Sequence, residues 1–196
     1  MMIADHQIIL TQDHDDEGNA IMTKAAGAEK FSMEELVYDA AGTEESINTY
    51  GILPGSKYLS LPGIDTEGKV YISSSMAGKF DLDPGDSVHL KEKYGYGSYD
   101  FTVTDIVPYD GGIAVFMDND SFNKTFGRDD GNYDGFFTDE PVTDIDEDYI
   151  AAEITSEDIL KMAAQLDHSM GAYMSYFQYL CILLSAVLIF LLTKLS

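Results

Sequence analysis

The chain has 196 residues, enough for one domain with a real core, and 45% of them are hydrophobic, which excludes a disordered tail. It holds 11 basic and 35 acidic residues, net −24. Lys194 is the only charged side chain after Asp167, so the rest of the chain has ten basic and 35 acidic groups, net −25. Such a surface is repelled by nucleic acid and by anionic lipid headgroups; solubility alone accounts for the charge, and cationic ligands, metal ions and protein partners are the contacts it would favour.

In chain order, Gln7–Leu10 and Ile47–Ile52 read as strands. Ala28–Asp39 stays ambiguous, because Phe31, Met33 and Val37 fit neither period 2 nor period 3.6. Gly51, Pro54 and Gly55 mark a turn region. Lys69–Ile72 is a short strand, and Ser73–Phe80 a short helix whose serine-rich start suits capping. Asp83-Pro84-Gly85-Asp86 is a turn. Ser87–Glu92 alternates, with Val88 and Leu90 on one face. Ser98–Val107 alternates too, placing Tyr99, Phe101, Val103 and Asp105 opposite Asp100, Thr102 and Thr104. Tyr94-Gly95-Tyr96-Gly97 joins these two strands as a hairpin. Ile113–Met117 is a further strand, followed by a short helix or turn over Asp118–Phe126. Residues 128–148 form a loop rich in Asp and Gly, with Gly135–Thr138 as a strand, and Tyr149–Ile154 is the last strand.

Thr155-Ser156-Glu157-Asp158 opens a helix with a capping hydroxyl and an acid three residues on. Ile159, Met162, Ala163, Leu166, Met170, Tyr173 and Met174 form one face of it. No proline interrupts the run before Ser196, so one helix of about 40 residues, roughly 60 Å long, is expected. Its second half, Gly171 to Thr193, has no charged residue and at 1.5 Å per residue spans roughly 34 Å, slightly more than a bilayer core. The Leu, Ile, Phe and Val side chains there favour insertion by roughly 3 to 7 kcal/mol. Tyr173, Tyr176 and Tyr179 sit where an interfacial aromatic belt would lie, and Leu180, Leu184, Leu188 and Leu192 continue into the bilayer. Lys194 stands at the far end, where it can snorkel. The division expected is therefore a domain at 1–155, a helical stalk at 156–170 and a transmembrane helix at 171–194.

Lys161 and Lys194 tie the positive-inside count, so charge leaves the orientation open. Met1-Met2-Ile3-Ala4-Asp5-His6 lacks the basic start and apolar stretch of a leader. A domain outside the cell then needs an upstream span, and both ends read as cuts through a larger membrane protein. The single cysteine, Cys181, lies in the apolar run, so no internal disulfide forms.

Several stretches together resemble one family. Val70-Tyr71-Ile72-Ser73 precedes a short helix, and Leu82-Asp-Pro-Gly-Asp-Ser-Val-His-Leu90 follows it. Tyr99–Tyr109 comes next, then Ala114–Met117 with Phe122-Asn123 and Phe126-Gly127, then Tyr149–Ile154. Ile154–Ile159, Asp167–Gly171 and Leu188–Lys194 complete the order, with weaker support from Gly27–Phe31. Over about residues 47–196 this set resembles the extracellular domain and following span of FtsX-like (MacB-type) ABC transporter permeases. The resemblance implies an α+β fold: a β-rich extracellular domain of mixed and antiparallel strands with short helices, then a long stalk-plus-transmembrane helix. It also implies a cell-membrane location with the C-terminus in the cytoplasm, an upstream span, and two further spans downstream. The partners implied are a separate ABC ATPase subunit, a second permease copy or half, and an extracellular peptide, lipid or protein ligand. ATP hydrolysis would move the outer domain through the span, a mechanical coupling rather than a conventional channel.

No catalytic, cofactor or metal site is expected in the chain itself. There is no Gly-x-x-x-x-Gly-Lys-Ser/Thr phosphate loop. Asp13-His-Asp-Asp-Glu-Gly18 opens like a calcium loop, but Lys24 stands where the bidentate Glu is required. Asp144–Asp148 and Asp129-Asp130 with Asp134 are similar acidic loops, and all three read as solvated loops ahead of calcium sites. Asp167-His168-Ser169 has the residue types of a triad, but consecutive helical residues point about 100° apart. His6, His14 and His89 lack metal-ligand spacing. The function expected is thus a permease fragment; the alternatives are a single-span binding or sensor domain, calcium-dependent or not, and a membrane-anchored hydrolase.

Overall fold

Short alternating segments bounded by Gly, Pro and Asp become strands, and two serine- or aspartate-led segments become helices. The computed structural model describes residues 4–40, 42–59, 61, 68–109 and 111–195; the side chains at 162, 163, 166–172, 186 and 195 lie outside that description. The strands are β1 (His6–Leu10), β2 (Glu29–Ala40), β3 (Thr43–Ile52), β4 (Lys69–Ser73), β5 (Ser87–Glu92), β6 (Ser98–Val107), β7 (Ala114–Asp118), β8 (Gly135–Thr138) and β9 (Ile150–Thr155). The helices are α1 (Ser74–Phe80), α2 (Asn119–Phe126) and α3 (Ser156–Leu195). The expected α+β class, β-rich with short helices and a long apolar C-terminal helix, is what forms.

All nine strands belong to one sheet, in which β3–β7 and β4–β6 are parallel pairs. The pairings run β3–β7–β4–β6–β5–β2 and return to β3, so six strands close into a ring with no free edge. The largest core fills one face of that ring. Leu36, Ile47, Val70, Ile72, Val88, Leu90, Phe101, Val103, Val115 and Met117 come from all six strands, and Met76 of α1 and Phe122 of α2 join them. Burial of each such side chain contributes about 1.5–3 kcal/mol. On the opposite face Phe31, Tyr50, Tyr71, Phe116 and Phe137 form a second core, much of it aromatic. Phe31 stacks on Phe137 with ring centroids 4.2 Å apart. The N-terminal half of β2 pairs with β8, and β1 lies between β8 and β9; a third core of Ile8, Leu10, Ile21, Tyr133, Phe136 and Ile145 packs there.

Two of these features depart from simple alternation. β2 is a strand throughout, but Phe31 and Met33 serve one core while Leu36 and Tyr38 serve the core on the opposite face. A strand divided between two cores carries apolar residues of both parities, which is why its sequence settles on no period. In β6, Phe101 and Val103 are buried as expected, but Asp105 is exposed and does not continue their face. The β4–β6 register shifts, with Val70 opposite Val103 and Tyr71 opposite Asp105. The extra residue, Thr104, is a β-bulge that reverses the parity, so Ile106 rather than Asp105 rejoins the first core.

Both short helices are capped, α1 by the serine that its sequence suggests and α2 by an aspartate. The Ser73 hydroxyl accepts from the Met76 amide at 3.1 Å, and an Asp118 carboxylate oxygen accepts from the Ser121 amide at 3.1 Å. Gly127 closes α2 in the left-handed region, at φ 63°. Contacts divide the chain into two units, Met1–Thr155 and Ser156–Ser196.

Candidate functional site

α3 is one uninterrupted helix of 40 residues, about 60 Å long, and it begins at the residue after β9. Its stretch Tyr173–Lys194, 22 residues or about 33 Å, is long and apolar enough to cross a membrane. That stretch starts two residues later than the run of uncharged residues in the sequence. Tyr173, Tyr176, Leu180, Leu184, Leu188 and Leu192 are each more than half exposed, so the chain itself buries none of them. At about 100° per residue these positions sweep roughly 160° of the helix surface. Two hydroxyls of the stretch bond back to the helix. Ser185 Oγ donates to the Cys181 carbonyl at 2.8 Å, and Thr193 Oγ1 donates to the Ile189 carbonyl at 2.8 Å. Such bonds satisfy these two hydroxyl donors without water, the condition hydrocarbon imposes. Of the expected stalk face, Tyr173 and Met174 are exposed and Ile159 is half-buried; Met162, Ala163, Leu166 and Met170 lie outside the described side chains. His168 of the Asp-His-Ser run lies outside them too.

The acidic loops look like ligand clusters in sequence, and the structure gives five of their carboxylates, Asp13, Asp15, Asp134, Asp144 and Asp146, other partners. Asp15 Oδ1 accepts from the Glu17 amide at 2.9 Å and the Asn19 amide at 2.8 Å, and Oδ2 accepts from Asn19 Nδ2 at 3.0 Å. The Asn19 side chain, then its amide, holds the Asp15 carboxyl below the usual aspartate value. His14 folds onto Asp13 at 2.9 Å. Asp144 accepts from the Thr23 hydroxyl at 2.8 Å and the Lys24 amide at 2.7 Å, in that order the causes of its lowered pKa. Asp134 pairs with Arg128 at 2.6 Å and accepts from the Met33 amide at 2.7 Å. Asp146 caps the short 3-10 turn Glu147–Tyr149. These oxygens staple loops, and among the described residues no group of three or more His, Cys, Asp or Glu is placed to hold a metal ion.

The remaining histidines pair singly, His6 with Glu153 at 2.8 Å and His89 with Asp100 at 2.7 Å, each joining neighbouring strands. Sequence reasoning missed the Arg128 fork, whose second nitrogen reaches Glu34 Oε2 at 2.7 Å. Burial opposes its charge, but Asp134 and then Glu34 outweigh burial, so its pKa is raised. Missed as well was Glu92 as the brace of the Tyr-Gly-Tyr-Gly hairpin, where Oε1 accepts from the Tyr99 hydroxyl at 2.8 Å. Burial, then Glu92, pushes the Tyr99 hydroxyl up to about 12. The glycines flanking Tyr96 were the one available signal, since they permit the close approach that the brace needs.

A ring-based α+β domain joined in sequence to a helix of bilayer length is the class that fold and site define. No family model matches the chain, and no curated protein matches it. Among solved structures it is similar to the crystal structure of the extracellular domain of the noncanonical ABC-type transporter YknZ from Gram-positive bacteria. That likeness is 16% in sequence identity over 66% of this chain and 81% of the other, with a TM-score of 0.45.

Proposed function

We propose that the chain is the extracellular domain and following span of an ABC transporter permease of the FtsX-like (MacB-type) kind. The observation that carries this reading is α3, a single 40-residue helix that begins directly after the last strand and contains the 22-residue apolar stretch. The ordered sequence resemblance from Val70-Tyr-Ile-Ser73 to Leu188–Lys194 supports it. A continuous helix resists bending, because a kink breaks several of its i→i−4 bonds, so displacement at one end reaches the other. In this reading a separate ATPase subunit hydrolyses ATP in the cytoplasm and shifts the span. α3 carries the displacement outward, and a second permease copy or half completes the complex. The chain supplies binding and transmission, and no catalytic group. Lys194 lies at the cytoplasmic boundary.

The test uses the native protein with Cys181→Ser and single cysteines at Tyr96 or Lys194. A membrane-impermeant maleimide added to intact cells is expected to label position 96 and not 194. Affinity purification is expected to bring down an ATPase carrying a phosphate loop. Labelling of 194 but not 96, or purification with no such ATPase, would overturn the reading.

A further inference from the structure

Two tyrosines stand in water at the tip of the β5–β6 hairpin, Tyr94 at 92% exposure and Tyr96 fully exposed. The tip beneath them is braced. The Glu92 amide donates to the Gly97 carbonyl at 2.9 Å, and the Gly97 amide donates back to Glu92 Oε2 at 3.1 Å. Lys93 Nζ reaches Glu35 Oε1 at 2.7 Å and ties the tip to β2. A Cβ at Gly97 would come within 2.6 Å of the Glu92 carboxyl carbon, so side chain and turn fit closely. Aromatic side chains held out on a fixed turn lose little freedom when a partner covers them, which is the economy of a binding hot spot.

Charge selects the partner. Residues 1–155 hold 32 acidic and nine basic side chains, net −23, and such a domain is repelled by anionic lipid and nucleic acid. The depression beside the tip is lined by Glu34, Glu35 and Glu92 with Lys93, Tyr94 and Gly95; Lys93 pairs with Glu35 and Arg128 with Glu34, so three carboxylates meet two cations. Tyr94 already takes a cation on its ring, with Lys93 Nζ 5.5 Å from the centroid. We infer that this hairpin tip docks a basic segment of a partner protein, whose Arg or Lys side chains stack on Tyr94 and Tyr96 beside Glu34 and Glu35. The inference does not depend on the transporter reading.

The probe is a fluorescein-labelled peptide of alternating Arg and Gly, titrated with the full chain in neutral detergent micelles at about 0.1 M salt, where charges are screened beyond about 10 Å. The pair Tyr94→Ala/Tyr96→Ala removes no charge and is expected to weaken binding roughly tenfold, as two stacked cations would. Tyr94→Phe/Tyr96→Phe keeps both rings and is expected to hold affinity within about twofold. Asp16→Asn/Asp148→Asn neutralises a separate acidic depression on the same domain and is expected to change it as little. The inference is overturned if the native chain does not bind, if the alanine pair binds like the native chain, or if the asparagine pair loses as much as the alanine pair. It is also overturned if, in nanodiscs of brominated phosphatidylcholine, part of the tyrosine quenching disappears in the alanine pair, because the tip would then lie in lipid.

Discussion

Gly135 has no room for a methyl group. A Cβ there would run into the Ile8 carbonyl and stand 2.7 Å from the Phe31 ring, and a strand carbonyl cannot rotate away. At Gly51 the obstacles are side chains, Asn119 Oδ1 and Phe122 Cβ at 2.8 Å. At Gly78, exposed in α1, nothing lies within 4 Å. The order expected is that Gly135→Ala destabilises by about 3 kcal/mol or more, Gly51→Ala by about 1–3, and Gly78→Ala stabilises by about 0.5–1. Thermal unfolding of the full chain in micelles, followed by near-ultraviolet circular dichroism, ranks the three. The carboxylates make a second prediction. Asp15 and Asp144 have folded pKa values below their unfolded ones. Their contribution is therefore complete above the unfolded value near 4 and is lost as pH falls through the lowered one. Unfolding temperature is expected to drop between about pH 5 and pH 3, and to drop less in Asp15→Asn/Asp144→Asn, whose stability is already lower at neutral pH.

At the scale of elements, Ser73 does two things at once. Its oxygen caps α1 through the Met76 amide and accepts from the Ala114 amide of β7 at 3.0 Å, with the residue fully buried. Ser73→Ala leaves two amides without an acceptor in the core and is expected to cost about 2–3 kcal/mol. Asp118→Ala removes a more accessible cap of α2 and is expected to cost about 1 kcal/mol. A domain of this size loses about 2–4 °C of unfolding temperature per kcal/mol, so calorimetry separates the two. Over Asp118–Phe126 the residues read only as a short helix or turn, but the cap of α1 was readable in the serine-rich start at Ser73, because a cap is a local pattern. So were β5 and the first half of β6, where Val88, Leu90, Phe101 and Val103 all face one core. β2 was not readable, because Phe31 and Leu36 answer to different cores, and the Thr104 bulge was not, because only the β4 partner reveals it.

At the scale of the molecule, the apolar stretch of α3 and the charge of the domain pull the chain into different media. One arginine at mid-span costs about 2.5–3.5 kcal/mol of insertion, against a total of roughly 3 to 7 in favour. Leu184→Arg/Leu188→Arg is therefore expected to abolish insertion, while Arg at the exposed stalk position Gln165 leaves it intact. Glycosylation mapping in microsomes reads both. The acidic loops carry the corresponding lesson for the candidate site: their composition opens like a calcium loop, but Asp15 accepts from amides of its own loop, and Asp144 accepts from the Thr23 hydroxyl and the Lys24 amide of a distant one. The docking tip was legible only as a turn, since nothing in Tyr-Gly-Tyr-Gly states that Glu92 braces it.

The sequence by itself determined the net charge, the cap of α1 and the long uninterrupted helix with its apolar half, because solvation and helical period depend on neighbouring residues alone. Tertiary structure decided that β2 closes the ring by pairing with both β3 and β5, that a bulge turns Asp105 outward, and which acids hold loops together. The ring and the bulge depend on partners distant in the chain, and a carboxylate reads the same in sequence whether it meets water, an amide or a cation.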